Sequence, residues 1–179
     1  MGKGIDGYLL AEFNLERQEI GRYSPLALAY IGDGVYDLVI RTIVVGEANT
    51  SANRLHRRTS SMVKASAQAA MIESLMESLD EEELSVYRRG KNAHSPTVAK
   101  NATLSDYHKA TGFEALMGYL YLTDRFERMV ELVKLGLART GLWEKGRTEE
   151  CAGRSHGKTG VGAKKETNHG GTPERIIAD

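Results

Sequence analysis

A chain of 179 residues, 41% hydrophobic and 27% charged, has material for one domain with its own core plus an appendage, and is neither fibrous nor low-complexity. Its 24 basic and 24 acidic residues cancel, so any attraction to nucleic acid or membrane has to be local. A single cysteine, Cys151, excludes an internal disulfide and a thiolate metal cage; no leader or membrane span is legible, so the cytoplasm is the expected location and no membrane partner is expected.

Residues 1–22 are mixed and polar, with a short helix predicted around Tyr8 to Gln18. Ser24 followed by Pro25 then reads as an N-cap with proline at the first helical position. The helix it opens, PLALAYIGDGVYDLVIRTIVV, is apolar on nearly every face, the mark of a buried central helix. Asp33 sits in its middle between Gly32 and Gly34, and a buried carboxylate needs a cation, a hydrogen-bond partner or a wet cleft. The two glycines cost about 1 kcal/mol each relative to alanine, which favours close approach of another helix or a ligand over simple tolerance.

Beyond Gly46, the spacing of Leu55, Val63, Ala67, Ala70 and Leu75 predicts one or two amphipathic helices. Asp80 to Glu83 form an acidic first turn, read as a solvated cap, for a helix that Gly90 ends. The stretch RRGKNAHSPTVAKNATLSDY reads as a basic loop: Leu84 to Ala110 holds five Lys or Arg against one acid, Asp106. Ser105 or Asp106 then caps a helix through Thr123, with Phe113, Leu116, Met117, Leu120 and Tyr121 inward and Glu114 in their midst. Asp124 and Glu127 have capping-box spacing for a last helix to about Thr140, with Phe126, Val130, Val133 and Leu137 inward. No segment carries a strand period. The fold expected is an all-α domain over residues 1–144, followed by a flexible Gly- and Lys-rich tail over 145–179.

Walker-type, dinucleotide-binding, HExxH and nucleophile-elbow patterns are absent, and the five histidines lack ligand spacing. What remains is Asp33 and Glu114, one acid on each of two apolar helices. If those helices cross, the pair can hold a hard divalent cation, with waters and a substrate phosphate completing the shell. Pairing of each acid with an arginine such as Arg41, or a place on an exposed edge, stands equally well on periodicity alone.

The motifs ALAYIGDGVYD, NRLHRR, RGKNAHS and FEALMGYLYL, in this order between about Ser24 and Leu142, resemble the ribonuclease III catalytic domain. They are most similar to its Mini-III branch, which lacks the double-stranded-RNA-binding domain. The resemblance implies an all-α ribonuclease III fold, with Asp33 and Glu114 as catalytic and metal-binding residues for Mg2+, Mn2+ substituting. Larger ribonucleases III place two further acids where this chain has Ala29 and Thr111. Asp37, one turn after Asp33, reads as a surface or salt-bridge residue before a further ligand.

Duplex RNA is read mainly by shape, through phosphates and 2′-hydroxyls. Arg88, Arg89, Lys91, Asn92, His94, Ser95, Thr97, Lys100 and Asn101 are therefore the RNA-binding candidates. The knot Arg54, Arg57 and Arg58 has an RNA-contacting and a structural reading. By resemblance, the expected activity is cleavage of double-stranded RNA by a homodimer, maturing precursor large-subunit (23S) ribosomal RNA. A non-catalytic RNA-binding protein that kept this fold is the rival.

Overall fold

The computed structural model describes residues 5–93 and 103–143. Among these, every regular element is helical: α1 (Ile5–Glu12), α2 (Pro25–Glu47), α3 (Ala52–Val63), α4 (Ala65–Leu75), α5 (Glu81–Lys91), α6 (Leu104–Leu122) and α7 (Phe126–Arg139), with short 3-10 turns at Ile20–Arg22 and Met76–Ser78. The all-α expectation holds. The predicted tail over 145–179 lies outside the described residues, as do His94, Ser95, Thr97, Lys100 and Asn101.

Helix α6 occupies the centre and packs against α2, α4, α5 and α7. Its inner side runs almost continuously buried from Ala110 to Leu120, interrupted only by Glu114. Helix α2 begins as expected, Ser24 Oγ accepting from the Ala27 amide at 3.1 Å with Pro25 in the first turn. It is not buried all round, however. Leu28, Gly32, Tyr36, Ile40 and Val44, four residues apart, form its inner stripe, whereas Leu26, Tyr30, Leu38 and Val45 stand exposed, Tyr30 at 86%.

Glycine sets the distance between α2 and α6. A Cβ on Gly32 would lie 1.8 Å from the Glu114 carbonyl oxygen and 2.6 Å from the Gly118 nitrogen, and one on Gly118 would lie 2.0 Å from the Leu28 carbonyl oxygen. Backbone meets backbone here, as no other residue would allow. Gly34 meets no helix, an added Cβ having nothing within 4 Å, and instead lines the cleft beside Asp33. Just inside the crossing, Tyr36 and Phe113 stack edge to face at 5.0 Å, and the Tyr36 hydroxyl donates to the Met62 carbonyl at 3.1 Å.

Several boundaries differ from the sequence reading. Gly90 does not end α5 but lies buried within it, where a Cβ would come within 2.6 Å of the Ala115 Cβ; the helix continues to Lys91 and Asn92 caps it. Arg88, Arg89 and Lys91 are consequently helical and not on a loop. Thr103 caps α6 in place of Ser105 or Asp106, its hydroxyl accepting from the Asp106 amide at 3.1 Å. The capping box predicted for α7 does not form: Asp124 takes a left-handed φ of 58° and accepts from Arg17 Nη1 at 2.8 Å. With α7 starting at Phe126, its buried face is Met129, Leu132, Val133, Gly136 and Leu137, leaving Phe126 and Val130 exposed.

The acidic turn of α5 is also more than a solvated cap. Asp80 and Glu83 form a capping box, but Glu83 is fully buried and accepts from Arg125 at 2.8 Å and from Arg128 at 2.9 and 3.0 Å. Arg128 also donates to the Ser78 carbonyl at 2.6 Å, so this network ties α5 and the turn before it to α7. Near the start of the chain, α1 spans Ile5–Glu12 and the strand of coil beyond it carries Arg17, which pairs with both Asp6 and Asp124.

Candidate active site

The glycine crossing determines where the two acids lie. Asp33 follows Gly32 on α2, and Glu114 supplies the carbonyl that Gly32 touches, so their side chains emerge beside the same contact. Both line one open cleft of about 570 Å³, together with Ala29, Tyr30, Tyr107 and Thr111. Two positions that hold acids in the larger enzymes thus face this cleft as Ala29 and Thr111. Neither offers a charged ligand, and the Thr111 hydroxyl donates back to the Tyr107 carbonyl at 3.0 Å.

The electrostatics are those of a half-buried carboxyl, Glu114, beside an exposed one, Asp33. Burial, then the charge of Asp33, pushes the Glu114 carboxyl up to about 7. Asp33, which keeps an exposed face, is also raised, first by partial burial and then by Asp37. Asp37 spends its own charge on Arg41, one turn away at 2.5 Å, which fits the surface salt-bridge reading. No arginine is paired with Asp33 or Glu114 among the described ion pairs, so the arginine alternative for these acids finds no support there.

No cluster of three or more His, Cys, Asp or Glu able to hold a metal occurs among the described residues. The donor set is two carboxylates with room for water. That set fits a hard divalent cation that keeps much of its hydration, as magnesium does.

One buried side chain beside the acids was not anticipated. Gln68 on α4 is 1% exposed; its amide nitrogen donates to the Val63 carbonyl at 3.0 Å, and its hydrogen bonding holds the Glu114 carboxyl lower than burial alone would. The only available signal was a polar residue set between Ala67 and Ala69 on the inner face of an amphipathic helix.

Of the RNA-binding candidates within the described residues, Arg88, Arg89 and Asn92 line a second hollow of about 460 Å³ with Pro25 at the start of α2. Lys91 is exposed on the same last turn of α5. On α3, Arg54 and Arg57 are exposed while Arg58 approaches Glu47 at 3.8 Å, so the structural reading applies to one member of that knot.

A helical fold with two carboxylates in one cleft, and with Arg88 and Arg89 beside Pro25 at the start of α2, has the parts of a phosphodiesterase. Residues 26–125 match the Ribonuclease III domain. A Mini-ribonuclease 3 of Clostridium tetani is 43% identical over 151 residues, covering 84% of this chain and 96% of that relative. One of Enterococcus faecalis is 47% identical over 118 residues, covering 65% of this chain and 89% of the relative. A crystal structure of a Fusobacterium nucleatum protein superposes with a TM-score of 0.63 at 27% identity, over 69% of this chain and 98% of that one. The chain belongs to the ribonuclease III family, in its Mini-ribonuclease 3 branch, and is an endoribonuclease of that type.

Proposed function

We propose that the protein hydrolyses phosphodiesters in double-stranded RNA with magnesium as its cofactor, manganese substituting, and that its task is the maturation of precursor large-subunit (23S) ribosomal RNA. The observation that carries this reading is the shared cleft of Asp33 and Glu114, two carboxylates with no cationic partner among the described ion pairs. A bound divalent cation supplies charge that stabilises a phosphoryl group and lowers the pKa of a water. Asp33 and Glu114 hold and orient it, while the walls formed by Ala29 and Tyr107 limit the water around them. Arg88, Arg89, Lys91 and Asn92 engage phosphates, a recognition of backbone shape that suits duplex RNA.

The open row Leu26, Tyr30, Leu38 and Val45 on α2 supports a homodimer, because a second copy presenting the same row covers apolar surface on both. No described helix is long and apolar enough to cross a membrane, and the cytoplasm is the location we assign.

Cleavage of a labelled RNA duplex tests the site. Wild type with magnesium is expected to cut, and Asp33→Asn and Glu114→Gln to lose at least about 100-fold in kcat at unchanged duplex affinity. Cleavage unaffected by both substitutions removes these acids from the mechanism. Binding without cleavage by any form, at any divalent ion concentration, supports a non-catalytic RNA-binding role.

A further inference from the structure

Between Glu47 and Glu73 the chain carries Arg54, Arg57, Arg58 and Lys64 and no acid, in a protein whose charges otherwise cancel. Helix α3 occupies much of this stretch, and its packing decides which cations face solvent. Thr59 and Met62 are buried and Leu55 packs beside them, which fixes the inner side. Arg58 turns towards Glu47 at 3.8 Å. Asn53, Arg57, Ser60 and Lys64, at spacings of four, three and four, fall on the opposite side and are all exposed, with exposed Arg54 beside them.

Among the described Lys and Arg side chains, those outside the described ion pairs form two groups: Arg54, Arg57 and Lys64 here, and Arg88, Arg89 and Lys91 on the last turn of α5. Only Lys134 and Arg139 on α7 stand apart, and Arg139 donates to the Ser74 carbonyl and the Ser78 hydroxyl. The fold gains nothing from cations on α3. Arg54 stands in the first turn of α3 and Lys64 is the residue from which α4 starts, so both sit at the positive end of a helix dipole, where an acid is favoured. Arg54 and Arg58 are four apart, a like-charge spacing that weakens a helix. A face kept soluble by charge alone mixes signs, as α7 does with exposed Glu127, Glu131 and Lys134. Positive charge gathered where the helices disfavour it, with Asn53 and Ser60 as donors between, matches an external row of anions.

The stripe has a fixed relation to the acids. Tyr36, one turn beyond Asp33 on α2, donates at 3.1 Å to the carbonyl of Met62, near the Lys64 end. Arg58, near the Arg54 end, approaches Glu47 at the last residue of α2. Helix α3 therefore runs back along α2 towards the level of Asp33, and the stripe spans about 16 Å by helix rise.

We propose that this face of α3 is a second backbone-binding surface for duplex RNA, on which Arg54, Arg57 and Lys64 contact phosphates and Asn53 and Ser60 contact phosphates or 2′-hydroxyls. The inference rests on the duplex-nuclease reading of the protein. It extends the footprint of the RNA from the end of α5 to the length of α3.

Duplex affinity of the full chain, measured by filter binding without divalent ions over a series of salt concentrations, tests it. Wild type, Arg57→Gln/Lys64→Gln and Lys134→Gln are compared, with circular dichroism to show that each is folded. The stripe variant is expected to reduce the slope of log affinity against log salt by about 2, one for each phosphate contact removed, and to bind about 10–100-fold more weakly near about 0.1 M salt. Lys134→Gln, which removes an exposed charge on α7, should keep the wild-type slope and affinity. A folded stripe variant with wild-type slope and affinity overturns the proposal, and so does an equal loss per charge in Lys134→Gln, which would make net charge the cause. If the stripe variant fails to fold, Arg54→Gln/Arg57→Gln takes its place with the same outcomes. A wild type whose duplex binding has no salt slope and that cuts no duplex refutes the nuclease reading, and this inference with it; salt-dependent binding and cleavage by wild type, with unchanged stripe variants, refutes this inference alone.

Discussion

Gly32 and Glu114 meet through their backbones: a single carbon added to Gly32 would overlap the Glu114 carbonyl oxygen at 1.8 Å. One contact therefore does two things. It lets α2 and α6 approach to backbone distance, and it brings the neighbouring Asp33 to the cleft that Glu114 lines. Burial at this crossing, and after it the charge of Asp33, raises the Glu114 carboxyl.

Gly32→Ala is accordingly expected to separate the two helices, disturbing both core and site. A forced backbone shift in a well-packed region costs roughly 1–3 kcal/mol or more, and with backbone on both sides the upper end applies. Gly34→Ala on the same helix is the contrast. With open space around it, alanine there should stabilise by about 0.5–1 kcal/mol through helix propensity. Urea unfolding of the two variants checks both signs; Gly32→Ala as stable as wild type would show that the crossing can yield.

Glu83 should be the most expensive single charge in the fold to remove. It accepts from Arg125 and Arg128 and completes the Asp80 capping box from a fully buried position. Glu83→Gln leaves two guanidinium groups short of an acceptor, and breaking such a pair costs about 3–5 kcal/mol when both partners are dry. Both arginines retain some solvent contact, so about 3 kcal/mol is expected, equivalent to roughly 6–12 °C in melting temperature. A calorimetric scan that shows no fall would mean that Asp80 and Glu131 take over both arginines.

The parts of this fold that were legible in sequence are those whose residue type admits one explanation. A carboxylate in an apolar helix has few, which is why Asp33 and Glu114 stand out before any coordinates are known. Residues with two uses were misread. Glycine ends helices and also lets them touch, and only the packing shows that Gly90 does the second and Gly34 neither. Acids at a helix start look alike, yet Glu83 points inward to two arginines donated from a helix some forty residues later. Asp124 has capping-box spacing but lies in a left-handed turn stabilised by Arg17 from the far end of the chain. Gln68 left no pattern because its partner, the Val63 carbonyl, is freed by a helix break that the sequence does not mark.

The exposed α2 row predicts the oligomeric state. In a two-fold interface the same residue of each copy lies near the axis or meets a fixed partner, so one substitution acts twice. Leu38→Asp, placed on the exposed face, should leave the monomer folded because it removes no core contact. It should convert a dimer to a monomer in sedimentation equilibrium while leaving the helical circular dichroism intact. A wild-type chain that sediments as a monomer at tens of micromolar would reject the homodimer.

Glu114 predicts an unusual pH dependence of the ion-free protein. Its carboxyl titrates at about 7 when folded against an ordinary 4.5 when unfolded, so between those values the folded state holds the extra proton. Stability then falls as pH rises through this window, by an amount on the order of 2–3 kcal/mol, opposite to the usual behaviour of a salt-bridged carboxylate. Glu114→Gln cannot ionise and should be flatter across the window and more stable than wild type at pH 8. A divalent cation binds the ionised form, so added magnesium should stabilise wild type at pH 8 more than at pH 5 and leave Glu114→Gln nearly unchanged. Cleavage at subsaturating magnesium should rise with pH up to about 7 for the same reason. Denaturant unfolding at pH 5 and pH 8, with and without magnesium, decides the matter: equal ion-free stability at the two pH values in wild type would mean that Glu114 is charged throughout and that the cleft is wetter than its lining suggests.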